Sequence, residues 1–145
     1  MSQPSGPTVG HRVAPHTADV IIEAWAHTPV QCLEEAARAL IGTFVDVANA
    51  VPTDTVPVMF ELAPDDEETL VAVLEEIVYM VDAFGVVPVD VALEETEDGG
   101  VAGYFETASA EHVALTGAVP KGVSRSDLEF QHGEGRWSCR VVIDV

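Results

Sequence analysis

The chain has 145 residues, 48% of them hydrophobic, and sets 25 Asp and Glu against 6 Lys and Arg for a formal net charge of -19. That length and apolar share suit one folded domain and exclude a disordered chain. The charge argues against direct nucleic-acid binding, which needs Lys and Arg to displace counterions, and no Lys or Arg occurs between positions 39 and 120. Such a surface steers toward basic proteins or collects divalent cations.

Residues 1–10 combine Ser, Pro and Gly without periodicity and read as a flexible N-terminal arm, leaving 11–145 as a single domain. VIIEAWA (20–26) has β-branched and aromatic residues at strand length, so a first strand is predicted over 19–25, led in by His16, Thr17 and Ala18. Thr28 before Pro29 signals a helix start, because a hydroxyl accepts an orphan N–H bond and proline's missing donor costs nothing at the first helical position. Leu33, Ala36, Ala37, Leu40, Ile41 and Phe44 then recur at helical spacing, giving an apolar face that needs a sheet.

VPVMFELA (56–63) is strand-like in composition, and Pro57 marks it as an edge or an early position. Asp65 with Glu68 three residues on resembles a capping box, opening a second helix that Gly85 closes. Its apolar face is read as Leu70, Val73, Leu74, Ile77, Met80, Val81 and Phe84. Two hairpins follow: 87–95 with 101–109 around the EDGG turn, then 123–130 with 136–145 around HGEG, separated by a loop over 111–120. The order β-α-β-α-β-β-β-β describes an α+β fold, with two helices packed on a largely antiparallel sheet.

Cys32 and Cys139 have no zinc-site spacing and read as two reduced, packed thiols. The first residues lack a secretory pattern and no apolar run reaches membrane-helix length, so cytoplasmic residence without membrane association is the default expectation. There is no GxSxG elbow, phosphate loop or HExxH pair, and His11, His27, His112 and His132 are dispersed, so no enzymatic centre is expected. The paired acids, such as Glu75 with Glu76 and Glu94 with Glu95, read as solvated faces.

The last strand pattern, VVIDV, runs to Asp144, Val145 and the terminal carboxylate. If the first and last strands are antiparallel neighbours, Asp19 lies beside Asp144 and Val145, and three anionic oxygen groups converge. A divalent cation relieves that repulsion without nitrogen or sulfur ligands; calcium is the first expectation, with magnesium or manganese as alternatives. His16 would orient Asp19 by donating to its carboxylate.

HTADVIIEAWAHT (16–28) leading into QCLEEAARAL (31–40) resembles the opening of the archease family. LEEIVYMVDAFG (74–85) resembles that family's second helix, VPKGVSRSDLEF (119–130) its "KAVTYHDLEV" strand, and WSCRVVIDV (137–145) its C-terminal strand. The resemblance implies metal ligation by Asp19, Asp144 and Val145, with His16, Asp82 and Asp127 as supporting or partner-contacting residues. It also implies a role as a protein cofactor that activates an RtcB-type tRNA-splicing RNA ligase by promoting its guanylylation and multiple turnover. The alternative is a chaperone-like adaptor of the same fold that binds another basic protein. The sequence departs from the family's Tyr-His-Asp at Arg125 and Ser126, while Asp127 remains.

Overall fold

A computed structural model describes residues 8–14 and 19–145. The chain runs β1 (Gly10–Ala14), β2 (Asp19–Ala26), α1 (Pro29–Phe44), β3 (Asp54–Phe60), α2 (Glu67–Phe84), β4 (Val86–Glu95), β5 (Val101–Ser109), β6 (Gly122–Gly133) and β7 (Arg136–Asp144). Two single-turn 3-10 helices, Val47–Asn49 and Ala110–His112, interrupt the loops. The expected α+β order is present, preceded by the short strand β1. Val9 and Gly10 do not belong to a loose arm: Val9 packs against the core and Gly10 begins β1. Of the remaining arm, Thr8 is hydrogen-bonded to His27 at 2.8 Å, and residues 1–7 lie outside the described residues.

The strands form two antiparallel sheets, one ordered β1-β2-β7-β6 and the other β3-β5-β4. Both helices reach both sheets: α1 packs on β2 and β7 of the first and β4 of the second, and α2 packs on β6, β4 and β3. One core results, with Ile22, Leu33, Leu40, Phe44, Leu74, Ile77, Phe105 and Ile143 fully shielded. Burying each such side chain stabilises the fold by about 1.5–3 kcal/mol before entropy is counted.

Local signals explain the helix boundaries. Thr28 Oγ1 accepts from the Gln31 N–H at 3.2 Å, with Pro29 as the first helical residue, and every member of the predicted α1 face is buried. The cap of α2 is Asp66, not Asp65: its Oδ1 accepts from the Glu68 N–H at 2.8 Å. An Asx bond to the second helical N–H places the cap two residues before Glu68, whereas the capping-box pattern places it three before. Gly85 ends α2 with φ 61° and donates its N–H to Val81, the left-handed geometry that costs glycine least. Phe84 departs from the predicted apolar face: it is 66% exposed and meets Tyr79 edge to face at 5.4 Å.

The strand expected over 56–63 instead begins at Asp54 and stops at Phe60, because the chain turns there toward the α2 cap. Its edge position follows from Pro57, which has no N–H to give a further neighbour. The free edge of β4 is covered differently, by α1: Arg38 donates to the Val91 carbonyl at 2.9 Å, and Glu34 accepts from the Leu93 N–H at 2.8 Å. Both edges of the three-stranded sheet are thereby blunted against pairing with another chain. The loop over 111–120 is pinned to the end of α1 by hydrogen bonds from the Asp46 N–H to Ala114 and from the Thr116 N–H to Phe44. No helix of the described residues is long and apolar enough to cross a membrane.

Candidate metal centre

Strands β2 and β7 are antiparallel neighbours, and Asp19 lies directly opposite Asp144, the first residue of one strand against the last of the other. Directly opposed residues share a face and have Cβ atoms ~4.5–5.5 Å apart. Alternation along β2 puts Asp19 with Glu23 and Trp25 on the face turned away from the core, where Arg140 opposes Glu23 and Ser138 opposes Trp25. Both carboxylates therefore sit at the rim of the four-stranded sheet, with Asp144 exposed and Asp19 partly so.

The end of β7 is held from its other side. Gly122 of β6 pairs with Asp144, and the Lys121 N–H donates to the Asp144 carbonyl at 2.8 Å. Val145, one residue further, packs its side chain against the core. The end of β7 is thus fixed by pairing on both edges and by an apolar anchor.

Of the other expected residues, His16 lies outside the described residues. Asp82, on the last turn of α2, lines two adjoining hollows of about 450 and 370 Å3 between that helix and 119–123, together with Val78 and Lys121. Lys121 links this groove to the main chain of Asp144. Asp127 is not brought to Asp144: it falls in an irregular stretch of β6 between the Ser124–Val142 and Glu129–Arg140 pairs, exposed, with φ 60°. That backbone region is open mainly to Gly, Asn and Asp.

In the same stretch Arg125, at the first departure from the family pattern, has its guanidinium 2.6 Å from the Glu68 carboxylate and 4.0 Å from Glu75. The hydrogen bond to Glu68, together with its charge, raises the arginine's pKa. Sequence reading missed this tie between β6 and α2 because nothing local links positions so far apart. It also missed Lys121 and Gly122, whose part in holding Asp144 is played by the main chain.

The donor chemistry suits a hard cation. Among the described residues no group of three His, Cys, Asp or Glu side chains could hold a metal. The two aspartates would need the Val145 carboxylate as their third protein donor. An all-oxygen set matches calcium, magnesium or manganese rather than zinc or copper. The cysteines take no part: Cys32 and Cys139 are buried and free, and the Cys32 thiol donates to the Ala24 carbonyl at 3.7 Å. The hydrogen bond with Cys32, followed by burial, holds the Cys139 thiol well above its usual range.

Residues 11–145 match the model of the Archease protein family (MTH1598/TM1083). A probable protein archease of Mycobacterium tuberculosis is 43% identical over 141 residues, covering 97% of this chain and 77% of the relative. The protein archease of Methanopyrus kandleri is 31% identical, covering 90% and 95%. Among solved structures, protein 1598 of Methanobacterium thermoautotrophicum superimposes with a TM-score of 0.68 at 21% identity, over 94% of this chain and 99% of that one. An archease and possible chaperone of Thermotoga maritima gives 0.67 at 18% identity, over 100% and 98%. These two structural matches speak for the fold alone.

Proposed function

We propose, since the chain belongs to the archease family, that it is a metal-binding protein cofactor which activates an RtcB-type tRNA-splicing RNA ligase by promoting its guanylylation and repeated turnover. The observation that carries this reading is the opposition of Asp19 and Asp144 at the adjoining ends of β2 and β7. With the Val145 carboxylate they would hold a divalent cation, calcium first and magnesium or manganese as alternatives, and His16 would orient Asp19. When bound, the cation supplies a concentrated positive charge at an otherwise anionic rim.

The chain's own residues do the rest. A net charge of -19 repels RNA and leaves its binding to the ligase, while favouring approach to a basic protein surface. Asp82 in the adjoining groove would meet a partner engaged at that rim, and Asp127 would extend the contact along β6. No chemistry of its own is assigned to the chain.

The test is ligase guanylylation with labelled GTP, with and without the purified chain. Addition should raise the guanylylated fraction and allow more than one round of joining; Asp19→Ala and Asp144→Ala should not. No rise with a ligase shown to be competent would sink the proposal. A second reading, an adaptor for another basic protein, rests on the same net charge of -19, which favours any basic protein surface and not a ligase in particular. It predicts stable capture of such a client by the full chain with no ligase present.

A further inference from the structure

The outer face of the three-stranded sheet is apolar at its centre and acidic around it, and it has no use in the reading above. The register sets three cross-strand rows: Thr55–Glu106–Asp90, Pro57–Tyr104–Ala92 and Met59–Ala102–Glu94. Met59 is 73% exposed and Tyr104 42%, although both lie in regular strands. Scattered exposed apolar residues need no explanation. Contiguous ones in adjoining rows across three strands do.

The charges carried by this sheet's three strands are all of one sign. The sequences of β3, β4 and β5 contain no Lys, Arg or His. Asp90 pairs with Arg38 from α1 at 3.2 Å, but Glu94, Glu95 and Glu106 form no ion pair among the described residues. An apolar centre bounded by unpaired acids is the complement of an apolar contact flanked by Lys and Arg.

We infer that this face docks a cationic, amphipathic segment of another protein, with Met59 and Tyr104 as its apolar contacts and Glu94 and Glu106 as its charge partners. Four alternatives are disfavoured on the same observations. A second copy would set these acids against one another across a two-fold axis. Nucleic acid and anionic membranes are repelled. An added strand would have to pair along β3, where Pro57 lacks a donor, or along β4, where α1 already occupies Val91 and Leu93. A basic helix laid on the face requires no free backbone edge. The inference is independent of the ligase reading, since it uses neither Asp19 nor Asp144.

The experiment titrates the full chain with a synthetic amphipathic Lys/Leu helix, using calorimetry and amide shift mapping. A Lys/Ser peptide and a Glu/Leu helix serve as controls. The Lys/Leu helix should bind alone among the three, and its shifts should centre on positions 55–59, 92–94 and 102–106. Met59→Ser with Tyr104→Ser should weaken binding by about tenfold or more. Glu94→Gln with Glu106→Gln, which leaves the apolar centre intact, should weaken it and flatten its salt dependence.

Asp19→Asn with Asp144→Asn should leave the affinity unchanged; if these variants also keep any calcium response, only the ligase reading suffers. The inference is overturned if the shifts centre elsewhere, if the Lys/Ser peptide binds equally well, or if both face variants bind like the parent. Sedimentation showing self-association that Met59→Ser and Tyr104→Ser abolish would overturn it too, by making a second copy the occupant.

Discussion

On the outer face of the four-stranded sheet, Arg12 bonds Glu23 through 3.2 and 3.3 Å contacts, and Arg12 and Arg136 both lie over the Trp25 ring, 5.9 and 5.5 Å from its centre. The corresponding positions of the three-stranded sheet hold Pro57, Met59 and Tyr104 among acids, with no cation on any of its strands. Both sheets bury their other face against the same pair of helices. Alternation alone therefore settles which side is inside, and says nothing of what the outside is for. One sheet answers Glu23 and Trp25 with guanidinium groups from its own strands and gathers two aspartates at its rim. The other leaves Met59 and Tyr104 exposed on a face whose strands carry no cation.

The largest effect should separate inside from outside on one strand. Phe105→Ala empties a fully shielded site on β5 and should cost ~3–5 kcal/mol in urea unfolding. Its exposed neighbour Tyr104→Ala should stay within ~0.5 kcal/mol; a loss comparable to Phe105 would mean that the outer face is structural. Gly103→Ala comes next, since an added Cβ would run into the Ala92 main chain across the β4–β5 pair. We expect a loss of about 1–3 kcal/mol by the same measurement.

A smaller effect belongs to the four-stranded sheet and to pH. Folding raises the Cys139 thiol's pKa through Cys32 and burial, so at alkaline pH the folded state holds a proton that the unfolded state has lost. This contribution is complete below the ordinary thiol value of ~8.5 and falls away as pH rises above it. Melting temperature should therefore drop more steeply above that pH in the parent than in Cys139→Ala, and parallel curves would remove the coupling.

Much of this architecture is legible in local sequence. Thr28-Pro29 and Gly85 mark helix ends because capping is a property of a few adjacent residues, and the α1 face follows from spacing. Phe84 was misread because periodicity cannot tell where the core ends under the last turn of a helix. The strand β1 escaped because GHRVA carries little β signal of its own and forms by pairing with β2. The same limit applies to the candidate site. Asp19 and Asp144 could be juxtaposed by assuming one strand pairing, whereas the Arg125–Glu68 tie and the main-chain hold of Lys121 on Asp144 depend on long-range geometry.

The measurement that bears most directly on the rim aspartates is thermal melting with and without calcium, for the parent chain and for Asp144→Asn. At a hundredfold excess over Kd, a cation bound only by the folded state stabilises it by ~2.7 kcal/mol, about 5–10 °C for a domain of this size. The parent should show a rise of that order, and Asp144→Asn, or a chain extended by one residue beyond Val145, should not. An equal rise in Asp144→Asn, or no rise in the parent with calcium, magnesium or manganese, would contradict the account.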